Sequence, residues 1–330
     1  MLKNKRVLIT GALGFVGKHL IESTLRTGMK IIAVDLLKPG ENLVEQYGDA
    51  VTWIQADLLK DDLSNFLSGV DTVYHLAAAF LPGNLEKITD TLCMLNVEGT
   101  RKVAAASVKA GVRQFMHVSS VAACEWSGDV RVTEDTGKPV SSYGYSKLKS
   151  EQVLKEIANH KMNYTIFRPT AMFGEYHLGS VFELVKAIHQ KKFIIIGTGR
   201  NHVNFLYVKD FAAILTKAAE KPEMTNQTYI VADTPITLNE LTDFIRQEVD
   251  MPPNLFKLPT FIGLSAGFAF DILSRIAHRP MPLSVNRVRA MTRDICYSNE
   301  RLKALSIKFD CGIFDGLKRA IVWYKSQGLL

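Results

Sequence analysis

Short apolar runs alternate with helix-spaced stretches through the first two-thirds of the chain. Residues 6–10 (RVLIT), 30–35 (KIIAVD), 51–57 (VTWIQAD), 70–78 (VDTVYHLAA), 114–120 (QFMHVSS) and 164–169 (YTIFRP) are nearly continuous in apolar side chains. Strands covered on both faces have this pattern. Between them, residues 15–28, 58–67 and 97–110 are expected as helices. The order predicts an α/β fold, a Rossmann-like doubly wound parallel sheet with helices on both sides. Past residue 170 the alternation loosens. There 191–197 (KKFIIIG) and 227–233 (QTYIVAD) suggest further strands, Thr237 and Glu240 a capping box, and 314–328 an amphipathic helix ending at Gly328. A soft boundary divides a sheet domain, 1–170, from a smaller, intimately packed C-terminal lobe, 171–330, with no linker between them.

Composition narrows the class. The 330 residues are 47% hydrophobic and 22% charged, ordinary for a globular protein. The net charge of +7 comes from scattered Lys and Arg residues, without the aromatic-laced stripe that nucleic-acid binding requires. Cys93, Cys124, Cys296 and Cys311 lie far apart. That spacing argues against disulfides and metal clusters, and favours the reducing cytoplasm. The basic start runs directly into a strand pattern, with no signal core. The greasiest run, FIGLSAGFAF at 261–270, meets Asp271 after ten residues, too few to span a bilayer. No metal site and no transmembrane segment are expected.

Chemistry enters at residues 6–17, RVLITGALGFVG, where Gly11, Gly14 and Gly17 stand between a strand and a helix. A dinucleotide diphosphate needs a tight turn, close backbone approach and amides at a helix N-terminus, here those around Phe15 and Val16. The spacing is GxxGxxG rather than GxGxxG, and a tight turn without a ligand would use the same glycines. The next strand ends in Asp35, placed to accept from both ribose hydroxyls and to repel a 2′-phosphate, which favours NAD. Asp57, followed by Leu58, either meets the adenine or caps the helix after it.

Two tyrosine–lysine pairs overlap in SSYGYSKLKS, residues 141–150: Tyr143 with Lys147, and Tyr145 with Lys149. At about 100° per residue, Ser146, Ser150, Val153, Leu154, Ile157 and Ala158 share one face of a helix. Tyr143 and Lys147 fall on or beside that face, and Tyr145 and Lys149 opposite it. A phenol titrates at about 10, and a cation one turn away would lower it toward use as an acid/base beside a nicotinamide.

The ordered set of TGALGFVG (10–17), VD (34–35), AD (56–57), HLAA (75–78), NVEGT (96–100), VSS (118–120), YGYSK (143–147) and FRPTAMFG (167–174) resembles the extended short-chain dehydrogenases/reductases, the NAD-dependent epimerase/dehydratase group. GTGRNHVNFLYVKD (197–210) is similar to a segment of their smaller lobe. The resemblance implies Tyr143 as acid/base, Lys147 as its tuner and ribose clamp, and Ser120 (or adjacent Ser119) on the reacting oxygen. It also implies Asn96 as support for the lysine relay, if not a helix cap. Leu76, Ala77 and Ala78 would pass the diphosphate, Pro169 and Thr170 would lie near the nicotinamide, and Phe80 and Arg200 would meet substrate. A homodimer through helices flanking the sheet is expected.

The substrate signals are thinner. Nucleotide-sugar members often carry a YGP and a late RxGD segment, and this chain has MFGEYHLGS and RVRAMTRDICYS instead. RPTAMFG is also similar to 3β-hydroxysteroid dehydrogenase-like members, whose substrates are flat apolar alcohols. Residues 258–277 would then line a sterol pocket or touch a membrane surface; a packed helix or subunit contact fits equally. Val121-Ala122 replace the dehydratase Asp-Glu pair. The leading reading is hydride transfer at a secondary alcohol or ketone of a nucleotide sugar. A hydroxysteroid dehydrogenase and a dinucleotide sensor without turnover are the alternatives.

Overall fold

The structure, a computed structural model, describes residues 5–79, 92–124, 131–135, 139, 141–253, 256–277, 279, 281 and 283–330. Its centre is a parallel sheet of seven strands. In chain order they are β1 (Arg6–Thr10), β2 (Lys30–Asp35), β3 (Val51–Gln55), β4 (Thr72–His75), β5 (Gln114–Val118), β6 (Asn163–Pro169) and β7 (Gln227–Val231). Across the sheet the order is β7-β6-β5-β4-β1-β2-β3, so the winding reverses between β1 and β4. All six runs expected as strands in the first half are present.

Both faces of the sheet are dry. On one, Val7, Ile9, Tyr74, Met116 and Phe167 pack under α1 (Phe15–Leu25) and, from much later in the chain, α4 (Val208–Ala218). On the other, Leu8, Val73, Phe115 and Ile166 pack under α2 (Thr100–Lys109) and α3 (Ser142–Ala158). Two apolar faces leave little in the apolar pattern to fix register, because a one-residue slip exchanges one greasy face for the other. A buried polar pair adds that information: Thr10 opposite His75, with Oγ1 and Nδ1 2.8 Å apart.

The chain crosses the expected boundary near residue 170 and then returns. Strand β7 pairs with β6, and α4 packs on α1. The smaller lobe has its own core of Phe173, Val185, Tyr207, Leu241, Leu317 and Tyr324, built largely from α5 (Leu238–Glu248) and α8 (Gly312–Ser326). Helix α5 starts in the expected capping box: Glu240 N donates to Thr237 Oγ1, and Thr237 N donates to Glu240 Oε2.

Three elements differ from expectation. Residues 58–67 form a turn and a short 3₁₀ helix, Ser64–Phe66, rather than a helix. Asp57 and Asp62 accept from Leu59 N and Ser64 N, side-chain bonds that compete with the helical ladder. KKFIIIG contributes only Ile195–Ile196 to a two-residue pairing with Lys257–Leu258. Residues 260–277 form one continuous helix, α6 (Thr260–Ala277), that carries Asp271 in its interior. It is the one helix among the described residues long and apolar enough to cross a membrane by length and composition.

Candidate active site

The reversal between β1 and β4 opens a crevice at the strand C-termini, where α/β sheets take ligands. The glycine loop fills its floor. Gly11 sits at φ +69, and a β-carbon there would lie 2.8 Å from Ala77 N. At Gly17 a β-carbon would lie 2.3 Å from Gly11 O, so both positions exclude any side chain. Gly14 is less constrained but caps α1 without a side-chain bond. The first turn of α1 thus begins at a cap that offers no competing acceptor. Phe15 stacks on His177, centroids 4.4 Å apart, which ties this turn to the smaller lobe.

Asp35 ends β2 with its carboxylate under the loop, accepting from Leu13 N (2.9 Å) and Leu37 N (3.1 Å). Asp57 caps its own turn and pairs with Lys60 at 3.2 Å. The backbone bond from Leu59 and then the Lys60 bond hold its carboxyl below the usual range. Leu58 is buried in the sheet core. After β4, Leu76 and Ala77 are half-buried and Ala78 is exposed. Phe80 lies outside the described residues.

The second wall is α3. Ser141 caps it through Gly144 N, so the helix begins as expected at Ser142. Of the two overlapping pairs, Tyr143 and Lys147 face inward. Tyr145 is exposed, with Lys149 over its ring at 5.7 Å. The Tyr143 hydroxyl hydrogen-bonds the Ser120 side chain, and Ser120 Oγ also accepts from Ala122 N at 3.1 Å. Its neighbour Ser119 turns the other way and donates to Glu151 Oε1 at 2.5 Å. The structure therefore separates the two serines: Ser120 meets the tyrosine, and Ser119 belongs to the support behind it.

Lys147 is buried, its Nζ donating to Val118 O at 2.7 Å. Desolvation lowers its pKa to about 8, with Glu151 one turn later acting in the opposite direction. Tyr143 behaves differently from the expectation: burial raises its pKa, and the Ser120 bond offsets this only in part. The ammonium is bonded to a carbonyl, and desolvation of the phenol dominates.

Asn96 is not a cap. It is buried inside a π-helical turn, Met94–Gly99, that leads into α2. Such turns recur at functional sites. Its Oδ1 accepts from Ala79 N, and its Nδ2 donates to Ala79 O and Ser146 Oγ, at 2.8, 3.1 and 2.9 Å. It clamps the segment after β4 to α3 through Ser146, the residue before Lys147. At the end of β6, Pro169 is buried, and among the described residues the buried Thr170 Oγ1 has no hydrogen-bond partner. Arg200 is exposed on its turn, and among the described residues its guanidinium forms no ion pair. His202, Asp294 and Cys296 bring donor atoms within 4.8 Å of one another. Asp294 there accepts from the backbone and ring of His202, so hydrogen bonding accounts for the group.

A buried ion pair behind the site was not anticipated. Arg168 binds Glu151 through two bonds, 2.9 and 2.7 Å, and also donates to Cys124 Sγ and Glu134 O. Burial works against the guanidinium, yet the Glu151 bonds outweigh it and hold its pKa above the usual value. Two signals were legible: an arginine inside the apolar run YTIFRP, and Glu151 four residues after Lys147.

These features fit a dinucleotide. Two glycines stand where any β-carbon would strike neighbouring backbone, a carboxylate sits one strand over, and among the described residues the buried Thr170 hydroxyl lacks a partner in the region expected to face a nicotinamide.

Comparison with known proteins agrees. Residues 7–232 match the profile of the NAD dependent epimerase/dehydratase family. The N-acetyl-alpha-D-glucosaminyl-diphospho-ditrans,octacis-undecaprenol 4-epimerase of Escherichia coli O157:H7 is 31% identical over 96% of this chain and 95% of its own. Isoform 2 of the Arabidopsis thaliana 3beta-hydroxysteroid-dehydrogenase/decarboxylase is 25% identical over 90% of this chain and 57% of its own. The UDP-glucuronic acid 4-epimerase of Bacillus cereus, solved with UDP-glucuronic acid and NAD, superposes with a TM-score of 0.76 at 19% identity, over 98% of this chain and 99% of that one. The chain belongs to the NAD-dependent epimerase/dehydratase family, the extended short-chain dehydrogenases/reductases, and is an NAD-dependent enzyme.

Proposed function

We propose that the enzyme is a 4-epimerase acting on a sugar carried by a diphosphate, as in a nucleotide sugar. The observation that carries this reading is the hydroxyl pair Tyr143–Ser120 beside buried Lys147, at the carboxyl end of β5. The full-length likeness to an epimerase whose substrate is a sugar diphosphate supports it.

In this reading the loop Gly11–Gly17 and the first turn of α1 bind the cofactor diphosphate, and Asp35 the adenosine ribose. Pro169 and Thr170 border the nicotinamide, and Asn96 holds the segment of Leu76 to Ala79 in place. When bound, NAD supplies a reversible hydride acceptor. Ser120 Oγ orients the substrate hydroxyl, and Tyr143 takes its proton and returns it to the ketone oxygen. Burial raises the pKa of the phenol, which suits the donor half of that cycle. The acceptor half needs positive charge, and Lys147 is the cation on the same helical face. The lobe beyond residue 170 shapes the substrate side, with Arg200 an exposed cation on it. The scattered cysteines suit a cytoplasmic setting. The family likeness suggests a homodimer, which light scattering tests.

Proton NMR of the purified enzyme with NAD and UDP-N-acetylglucosamine, or its polyprenyl diphosphate counterpart, tests the reaction. Inversion at C4 supports the proposal. A second reading, a 3β-hydroxysteroid dehydrogenase, is favoured by RPTAMFG and by the absence of the late RxGD segment. NADH formation from a sterol, with no sugar inversion, would replace the first reading by the second.

A further inference from the structure

Helix α6 is built inside out. Its inward stripe is small or polar: Gly263 packs on Ile196, and Gly267 lies so close to α7 (Val285–Thr292) that a β-carbon would stand 2.9 Å from Val285 N. Asp271 faces the same neighbour and accepts from Val285 N at 3.1 Å. The outward stripe is apolar. At about 100° per residue, Phe261, Phe268, Ile272, Ile276, Ile262 and Leu273 fall on one continuous face. Phe261 is 70% exposed, Phe268 63% and Ile276 71%. A helix of a water-bound protein places these residues the other way round.

Charge selects the occupant of this face. Residues 256–293 hold six Lys or Arg residues and one carboxylate, Asp271, which is engaged with α7. Arg275 and Arg279 stand exposed at the end of α6, and Arg289 is exposed on α7. A two-fold contact between copies would set this basic rim against itself. An apolar stripe edged by cations instead matches the acyl boundary and headgroups of an anionic bilayer. Spanning is disfavoured because α6 would have to leave α7 and carry Asp271 into hydrocarbon.

We propose that α6 lies in the plane of an anionic phospholipid membrane and seats the enzyme there as a peripheral protein. This goes beyond the substrate reading and does not rest on it. The module connects to the catalytic side, since α7 runs into Cys296–Tyr297, whose strand pairs with Arg131–Val132. Tyr297 in turn packs in the cluster of Cys124 and Val132, beyond Ser120. Seated this way, the enzyme would hold its substrate lobe near the bilayer, where lipid-linked sugar diphosphates are found.

Flotation of the full chain with vesicles of phosphatidylcholine, alone or mixed with phosphatidylglycerol, tests the proposal. Binding is expected only to the mixed vesicles, weakened by salt and lost in the exposed-face variant Phe261→Ser/Phe268→Ser. That variant should keep its melting temperature and NAD affinity. Arg275→Gln/Arg279→Gln should lower binding about thirtyfold, as expected for two lost cations at about 1 kcal/mol each. No flotation would overturn the proposal. So would a face buried by a second copy, seen as a dimer that the phenylalanine variant dissociates. Resistance to alkaline carbonate extraction would overturn it in favour of a spanning helix.

Discussion

Gly144 packs against the carbonyl of Ala122 so closely that a β-carbon would stand 2.0 Å from that oxygen. This contact seats the first turn of α3 on the turn after Ser120, and the seating brings the Tyr143 and Ser120 hydroxyls together. The glycine in YGYSK is thus a spacing device for the site.

Gly144→Ala follows directly. Helix propensity alone would favour alanine by about 1 kcal/mol. The clash with a backbone oxygen is expected to outweigh this, for a net cost of about 1–3 kcal/mol. Because α3 must move off Ala122, turnover should fall more than NAD affinity does. Thermal melts and calorimetric NAD titration check both, and a variant with unchanged turnover would remove the seating argument.

Lys147 gives a pH-dependent stability difference. Its pKa is about 8 when folded and 10.5 unfolded. The unfolded chain therefore binds more protons between those values, and this group makes stability rise with pH across that window. Below pH 8 the buried charge costs about 3 kcal/mol relative to the neutral amine. Lys147→Met should gain stability over the parent most at pH 7 and lose that advantage toward pH 10.5, while turnover collapses at every pH. Chemical denaturation across the range reads the trend, and a pH-independent difference would show that Lys147 is not desolvated as described.

The pair Glu151–Arg168 behaves as buried ion pairs do. Glu151→Gln leaves the Arg168 charge uncompensated among Cys124 and the sheet, at a cost of about 3–5 kcal/mol. Glu151→Leu with Arg168→Met should recover much of that loss, since an apolar pair of similar volume avoids desolvating two charges. Urea midpoints for the single and double variants test this, and strict additivity would contradict it.

The sheet and the glycine loop were legible because each depends on local rules. Runs such as KIIAVD, repeated at regular intervals between helix-spaced stretches, fit strands covered on both faces, and Gly11 and Gly17 stand where neighbouring backbone leaves no room. Helical geometry alone chose Tyr143 over Tyr145. The failures have physical causes too. Aspartate caps at Asp57 and Asp62 replaced a helix with turns, and local sequence weighs propensity better than such competition. The direction of the Tyr143 shift depends on how deeply the phenol is buried and where the Lys147 ammonium points, and both are set by packing across α3 and β5. Arg168 found its partner seventeen residues away, a pairing that spacing does not predict.

The central claim is that Tyr143, and not the equally spaced Tyr145, exchanges the proton. Turnover and NAD affinity of Tyr143→Phe and Tyr145→Phe, measured side by side, test it most directly. Tyr143→Phe should lose about 10²–10⁴-fold in kcat with NAD affinity intact, and Tyr145→Phe should match the parent. Full turnover by Tyr143→Phe, or its loss in Tyr145→Phe, would contradict the account.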